Sequence, residues 1–162
     1  MTGLSHLDND GRARMVDVGA KAVTARSATA VGELVTTAEV IALVRAEGMP
    51  KADVLPTARI AGILAAKRTW ELIPLCHQIP LSSVIVEFEL GEASILVRAT
   101  ARTTAQTGVE MEALTAVSVA CLTLHDMVKA KDPAATTTGI RLLSKDGGKH
   151  GHWTHPGEGA AS

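Results

Sequence analysis

The chain is almost without aromatic residues: Phe88, Trp70 and Trp153 are its only three, and tyrosine is absent. A platform for stacking nucleic-acid bases is therefore missing, and the core must be assembled from Val, Ile, Leu and Ala. Cysteine is scarce too. Cys76 and Cys121 give neither a disulfide framework nor the paired spacing of a zinc site, and they fit a reducing, cytoplasmic setting. Charge of either sign is not in excess. With a net charge of −1 there is no global field to hold nucleic acid or an anionic membrane. No apolar run approaches the roughly 18 residues of a membrane span. The opening stretch MTGLSHLDNDG has no basic region followed by an apolar one, so no signal peptide is expected. No internal repeat stands out, and 162 residues suit one domain with one core.

What is present is patterned. Residues 1–20 are polar and read as a mobile N-terminal arm; 21–149 read as a single catalytic domain and 150–162 as a flexible, Gly-rich tail. Lys21 to Val35 alternates as a strand, with Val23, Ala25, Ser27, Thr29 and Val31 on one side. TTAEVIALVRAEG predicts a short helix, with Thr36 and Glu39 at capping-box spacing and Gly48 as its stop. Residues 52–72 predict a second helix with Pro56 in its first turn. Residues 82–90 and 94–102 form a hairpin, 109–130 the longest helix, and TGIRLLSK a last strand. Setting one helix aside, the order is the split βαβ of an α+β, ferredoxin-like fold: an antiparallel sheet with helices on one face, plus one extra helix.

Two segments draw attention. In LIPLCHQIPLSS, Pro74 and Pro80 stiffen the loop that carries Leu75, Cys76 and His77 to the mouth of the sheet. In the long helix, Val117, Cys121, Leu124 and Val128 make one apolar stripe, while Met111, Leu122, Asp126 and Lys129 fall on or near the opposite side. A helix apolar on both faces is buried on both, here against a second subunit. Asp126 and Lys129 would then be a semi-buried acid–base pair rather than a surface ion pair. Glu110 and Glu112 sit in the first turn, where carboxylates favour the positive end of the dipole, after the flexible Gly108.

The segments MVDV, KADV, TARIAGILAAKRTWELIPLCH, TGVEMEALTAVSVA, DMVKA and IRLLSKDGGK together resemble the cyclic pyranopterin monophosphate synthase family of molybdenum cofactor biosynthesis, also called molybdenum cofactor biosynthesis protein C. The resemblance runs from about Leu4 to about Gly151, in the same order. It implies a ferredoxin-like homohexamer, a trimer of dimers, with active sites at subunit interfaces. It implies a lyase that converts a cyclised dihydro-GTP, made by a radical-SAM GTP cyclase, to cyclic pyranopterin monophosphate with release of pyrophosphate. No cofactor and no metal are expected. The family's catalytic aspartate and lysine match Asp126 and Lys129. Its substrate-contacting positions match Lys51, Leu75, Cys76, His77, Glu110, Met111, Glu112 and Lys145, with Lys149 close by. The chain departs from the family's usual residues at Gln106, often basic, at His125, often tyrosine, and at Asp146 and His150, more usually serine.

The residues suit that chemistry. Lys51, Lys129 and Lys145 can neutralise phosphates as point charges, and Gly147–Gly148 lets backbone N–H groups approach one. Ring opening and rearrangement are proton transfers, the work of positioned acids and bases. Pyrophosphate departure needs charge stabilisation. Other readings compete. A zinc site from Cys76, His77, His150, His152 and His155 has poor spacing. A non-catalytic oligomeric module that binds a pterin or nucleotide is the serious rival, and turnover separates it from an enzyme.

Overall fold

The computed structural model describes residues 10–149 and 151–157. The outermost parts of the arm and the tail, and His150, lie outside the described residues. The elements run β1 (Thr24–Val35), α1 (Ala38–Arg45), α2 (Val54–Lys67), α3 (Thr69–Leu72), β2 (Ser83–Leu90), β3 (Ser94–Ala105), α4 (Glu110–Val128), β4 (Thr136–Asp146) and β5 (Trp153–Thr154). The sheet has the order β2-β3-β1-β4-β5 and every neighbour is antiparallel. Thus β1 and β2 run parallel with β3 between them, and β3 and β4 run parallel with β1 between them. This is the expected split βαβ arrangement. Helices α2 and α4 pack against each other and α4 lies across β1, β3 and β4.

Scarcity of aromatics shows directly in the packing. The side of β1 turned to the helices carries Ala28, Ala30, Gly32 and Leu34, all buried, and β3 contributes Ile95, Val97, Ala99 and Ala101. The set Ser27, Thr29 and Val31 lies on the opposite side, as alternation requires. Small residues let the layers approach closely. A Cβ on Gly32 would stand 2.7 Å from Val117 Cγ1, and one on Gly62 in α2 would stand 2.9 Å from the Ala116 carbonyl of α4. The stripe Val117, Cys121, Leu124 and Val128 is fully buried, as its spacing predicts. Burial alone pushes the Cys121 thiol up to about 12, an inert core thiol. Among the described residues α4 is the one helix long and apolar enough to cross a membrane, but more than half of its most apolar window is buried inside the protein, as in a core helix.

Several boundaries differ from expectation for local reasons. The cap of α1 is Thr37, whose Oγ1 accepts from the Val40 N–H at 3.3 Å; Thr36 instead donates to Asp132. The helix ends at Arg45, three residues before Gly48. Glu47 takes the left-handed conformation, and the N–H groups of Glu47 and Gly48 close back on Val44 and Leu43, a Schellman motif without glycine at its left-handed position. The predicted helix over 52–72 is two helices, broken at Arg68. The tail segment from Trp153 to Thr154 pairs with Ser144 and Lys145 of β4 and adds a fifth strand to what reads in sequence as a flexible tail.

Candidate active site

At the N-terminal end of α4 the expected residues converge. Leu75, Cys76 and His77 from the stiffened loop, Glu110 and Met111 from α4, and Val16, Val18 and Lys21 from the arm line one cavity of about 380 Å³. The Cys76 N–H closes a turn on the Ile73 carbonyl at 3.0 Å, which seats the loop directly after α3. His77 Nε2 donates to the Val16 carbonyl at 2.8 Å, so the arm's backbone sets the ring. Gln106 Nε2 donates to the Gly19 and Lys21 carbonyls at 3.0 and 3.2 Å. Gln106 is therefore a clamp on the arm.

Gly108 leaves room for the Glu110 carboxylate, which folds back over it where a Cβ would stand. Glu110 accepts from Lys145 Nζ at 2.8 Å, with both side chains about one-third exposed. It therefore does more than meet the helix dipole. Glu112, by contrast, is only 5% exposed. Burial, reinforced by the Glu110 charge and opposed by a backbone hydrogen bond, raises its carboxyl to about 7. Cys76 is pushed up by burial and by the Glu112 charge, which favours the neutral thiol and a binding role over nucleophilic attack.

A second, larger cavity of about 530 Å³ adjoins the first through Lys21, Thr107 and Gly108, and carries Arg26, Gln106 and Lys149. A small one beside it joins Arg26, Glu110, Lys145, Asp146 and Lys149. Arg26 donates to the Ala105 and Gln106 carbonyls. The Gly147–Gly148 turn, at φ of 91° and 74°, lies directly over it, where any Cβ would clash. Sequence reasoning missed Arg26 and Lys21. Each is a single cation near the start of a strand, and nothing in the local pattern separates such a residue from a solvated one.

The other three candidates gather at the far end of α4. Asp126 accepts from Lys129 Nζ at 2.7 Å through one carboxylate oxygen and from Lys51 Nζ at 2.6 Å through the other. Lys51 also reaches the Asp126 carbonyl at 3.1 Å. Hydrogen bonds from Lys129 first, then Lys51, hold the Asp126 carboxyl down near 2. The cluster is not semi-buried in the single chain: Asp126 and Lys129 are both about half exposed, at 53% and 54%. The expected burial cannot come from the chain's own elements. On the same outer face Leu122 is 63% exposed.

The sixteen residue steps from Glu110 to Asp126 span about 24 Å of helix. The candidate residues of one chain thus form two separate clusters. One has a pocket, a histidine and several cations; the other has two lysines forked on a carboxylate.

The sequence profile of the MoaC family matches residues 15–148. Cyclic pyranopterin monophosphate synthase 2 of Mycobacterium bovis is 58% identical over 151 residues, covering 93% of this chain and 90% of that protein. Cyclic pyranopterin monophosphate synthase of Nocardioides sp. is 56% identical over 156 residues, covering 94% and 96%. That of Chloroflexus aggregans is 58% identical over 152 residues, covering 93% and 92%. A profile match over most of the chain, and relatives that align along nine-tenths of it, place it in one group: the chain belongs to the MoaC family.

Proposed function

We propose that the protein is a lyase of molybdenum cofactor biosynthesis, a cyclic pyranopterin monophosphate synthase. It takes the cyclised dihydro-GTP produced by a radical-SAM GTP cyclase and works in the cytoplasm as a homohexamer, a trimer of dimers. The observation that carries the reading is the division of the candidate residues between the two ends of α4. Joined across a subunit interface, the His77–Glu110–Lys145 end of one chain and the Lys51–Asp126–Lys129 end of another enclose a single substrate. The apolar outer face, with Ile60, Leu64 and Leu122 more than half exposed, supports such an interface.

Roles follow from the electrostatics. Hydrogen bonds from Lys129 and Lys51 favour the carboxylate form of Asp126, and that carboxylate aligns the two ammonium groups. Lys129 then moves protons during ring opening and rearrangement. The triphosphate lies toward Arg26, Lys145 and Lys149. In the last step a substrate hydroxyl oxygen bonds to the α-phosphorus, its proton passes to a base, and the bond to the β-phosphate oxygen breaks. Pyrophosphate leaves with its new charge met by those cations. Leu75, Cys76, His77 and Met111 frame the ring system, and Glu112, close enough to Cys76 to raise its thiol, is a carboxyl able to exist neutral near pH 7.

Incubation with the cyclised dihydro-GTP and assay for pyrophosphate tests the proposal. Stoichiometric release over many turnovers is expected. Saturable binding with no release would instead establish a pterin- or nucleotide-binding module.

A further inference from the structure

Asp146 ends β4 beside the small cavity lined by Arg26, Glu110, Lys145 and Lys149. Its carboxylate opposes the anion that this cavity is read to hold. Glu110 is already engaged by Lys145 at 2.8 Å. Asp146 is engaged from elsewhere: His152 Nδ1 lies 2.6 Å from its Oδ1, and Ser27 Oγ donates to Oδ2 at 3.4 Å. The placement of His152 is structural rather than incidental. The next residue, Trp153, pairs with Lys145 in the antiparallel ladder, so β5 brings His152 back over the end of β4. Trp153 in turn packs edge-on against His155.

Counted around this cavity, three cations face two carboxylates, a net of +1 with His152 neutral and +2 with it protonated. We propose that His152 is a specificity-determining residue that cancels Asp146 at the rim of the Arg26–Lys145–Lys149 cavity, and thereby makes polyphosphate affinity depend on the charge of one tail histidine. The inference rests on the phosphate reading of this cavity. The charged groups that face the pair are Arg26 from β1, Glu110 from α4, Lys145 from β4 and Lys149 from the loop, with His155 directly after β5. Protonated, the ring sets a cation next to Asp146; neutral, it leaves the carboxylate bare toward the ligand.

The test is calorimetric titration of the assembled full-length protein with inorganic triphosphate, near pH 6 and near pH 8, in wild type, His152→Ala, Asp146→Asn and the double variant. Comparison with His152→Ala, which lacks the histidine charge, removes the ligand's own titration. Wild type should bind about threefold to tenfold more tightly than His152→Ala near pH 6 and close to it near pH 8. The double variant, freed of the bare carboxylate, should bind more tightly than His152→Ala at both. Equal affinity of His152→Ala and wild type at both pH values would overturn the inference. So would a double variant as weak as His152→Ala, which would assign His152 to holding β5 alone. Failure of all four proteins to bind triphosphate would overturn it at its root; turnover of the cyclised dihydro-GTP, assayed separately, decides whether the proposed activity falls as well.

Discussion

Lys51 and Asp126 are 75 residues apart in the chain and 2.6 Å apart in the fold. The loop after α1 carries the lysine to the last turn of α4, where the carboxylate is already held by Lys129 at 2.7 Å. Two ammonium groups on one carboxylate, all three half exposed, contribute little to stability. Exposed pairs are typically worth about 0–1 kcal/mol. Such an arrangement makes sense where it serves a ligand.

Asp126→Ala and Lys129→Ala should therefore leave the thermal transition nearly unchanged and lower turnover by about two to four orders of magnitude. The double variant should be little worse than either single one, because groups that act as a unit are not additive. Pyrophosphate release from Lys129→Ala within about threefold of wild type would return the pair to the surface.

Lys51→Ala and Lys145→Ala should weaken substrate binding, measured by calorimetry with a non-reactive triphosphate analogue. Their structural settings differ. Lys51 leaves Asp126 still paired with Lys129, whereas Lys145→Ala strips Glu110 of its counter-ion at one-third exposure. Lys145→Ala should thus also cost about 1 kcal/mol of stability.

Glu112 imposes a pH dependence on stability whose sign is fixed. Its folded-state value, about 7, lies above the ordinary 4.5, so between them the folded protein binds more protons than the unfolded chain. Stability falls as pH rises through that window. Glu112→Gln should flatten the fall and be the more stable protein at pH 8, by an amount on the order of 1–3 kcal/mol in denaturant titrations. A steeper fall in the variant would contradict the assignment.

The outer helix face should close on another copy of the chain. Light scattering at micromolar concentration should give a hexamer, and Leu122→Glu, which places a charge on an already exposed position, should lower the mass without unfolding the subunit. A wild-type monomer would remove the interface on which the shared site depends.

Much of this was legible in the sequence. The core stripe of α4 follows from its 3.6-residue spacing, and the strand order follows from a βαββαβ pattern that admits few topologies. The loop around Cys76 and His77 is announced by its two prolines. Other features are not local properties. The cap of α1 falls on Thr37 because Thr36 is drawn to Asp132, 96 residues on. The clamp from Gln106 to the arm and the pairing of β5 with β4 are equally long-range. The second apolar face read along α4 carries Met111 and Leu122, both exposed in the single chain, and the exposure of Asp126 and Lys129 beside them is visible only in the folded chain.

The account's central claim is that the two ends of α4 act together only when supplied by different subunits. Lys129→Ala and Lys145→Ala chains are to be co-refolded in equal amounts and assayed for pyrophosphate release at a substrate concentration too low for Lys145→Ala alone to turn over. Random mixing assembles one fully equipped site in about four, so the mixture should recover about a quarter of wild-type activity. A mixture no more active than its components would contradict the shared site.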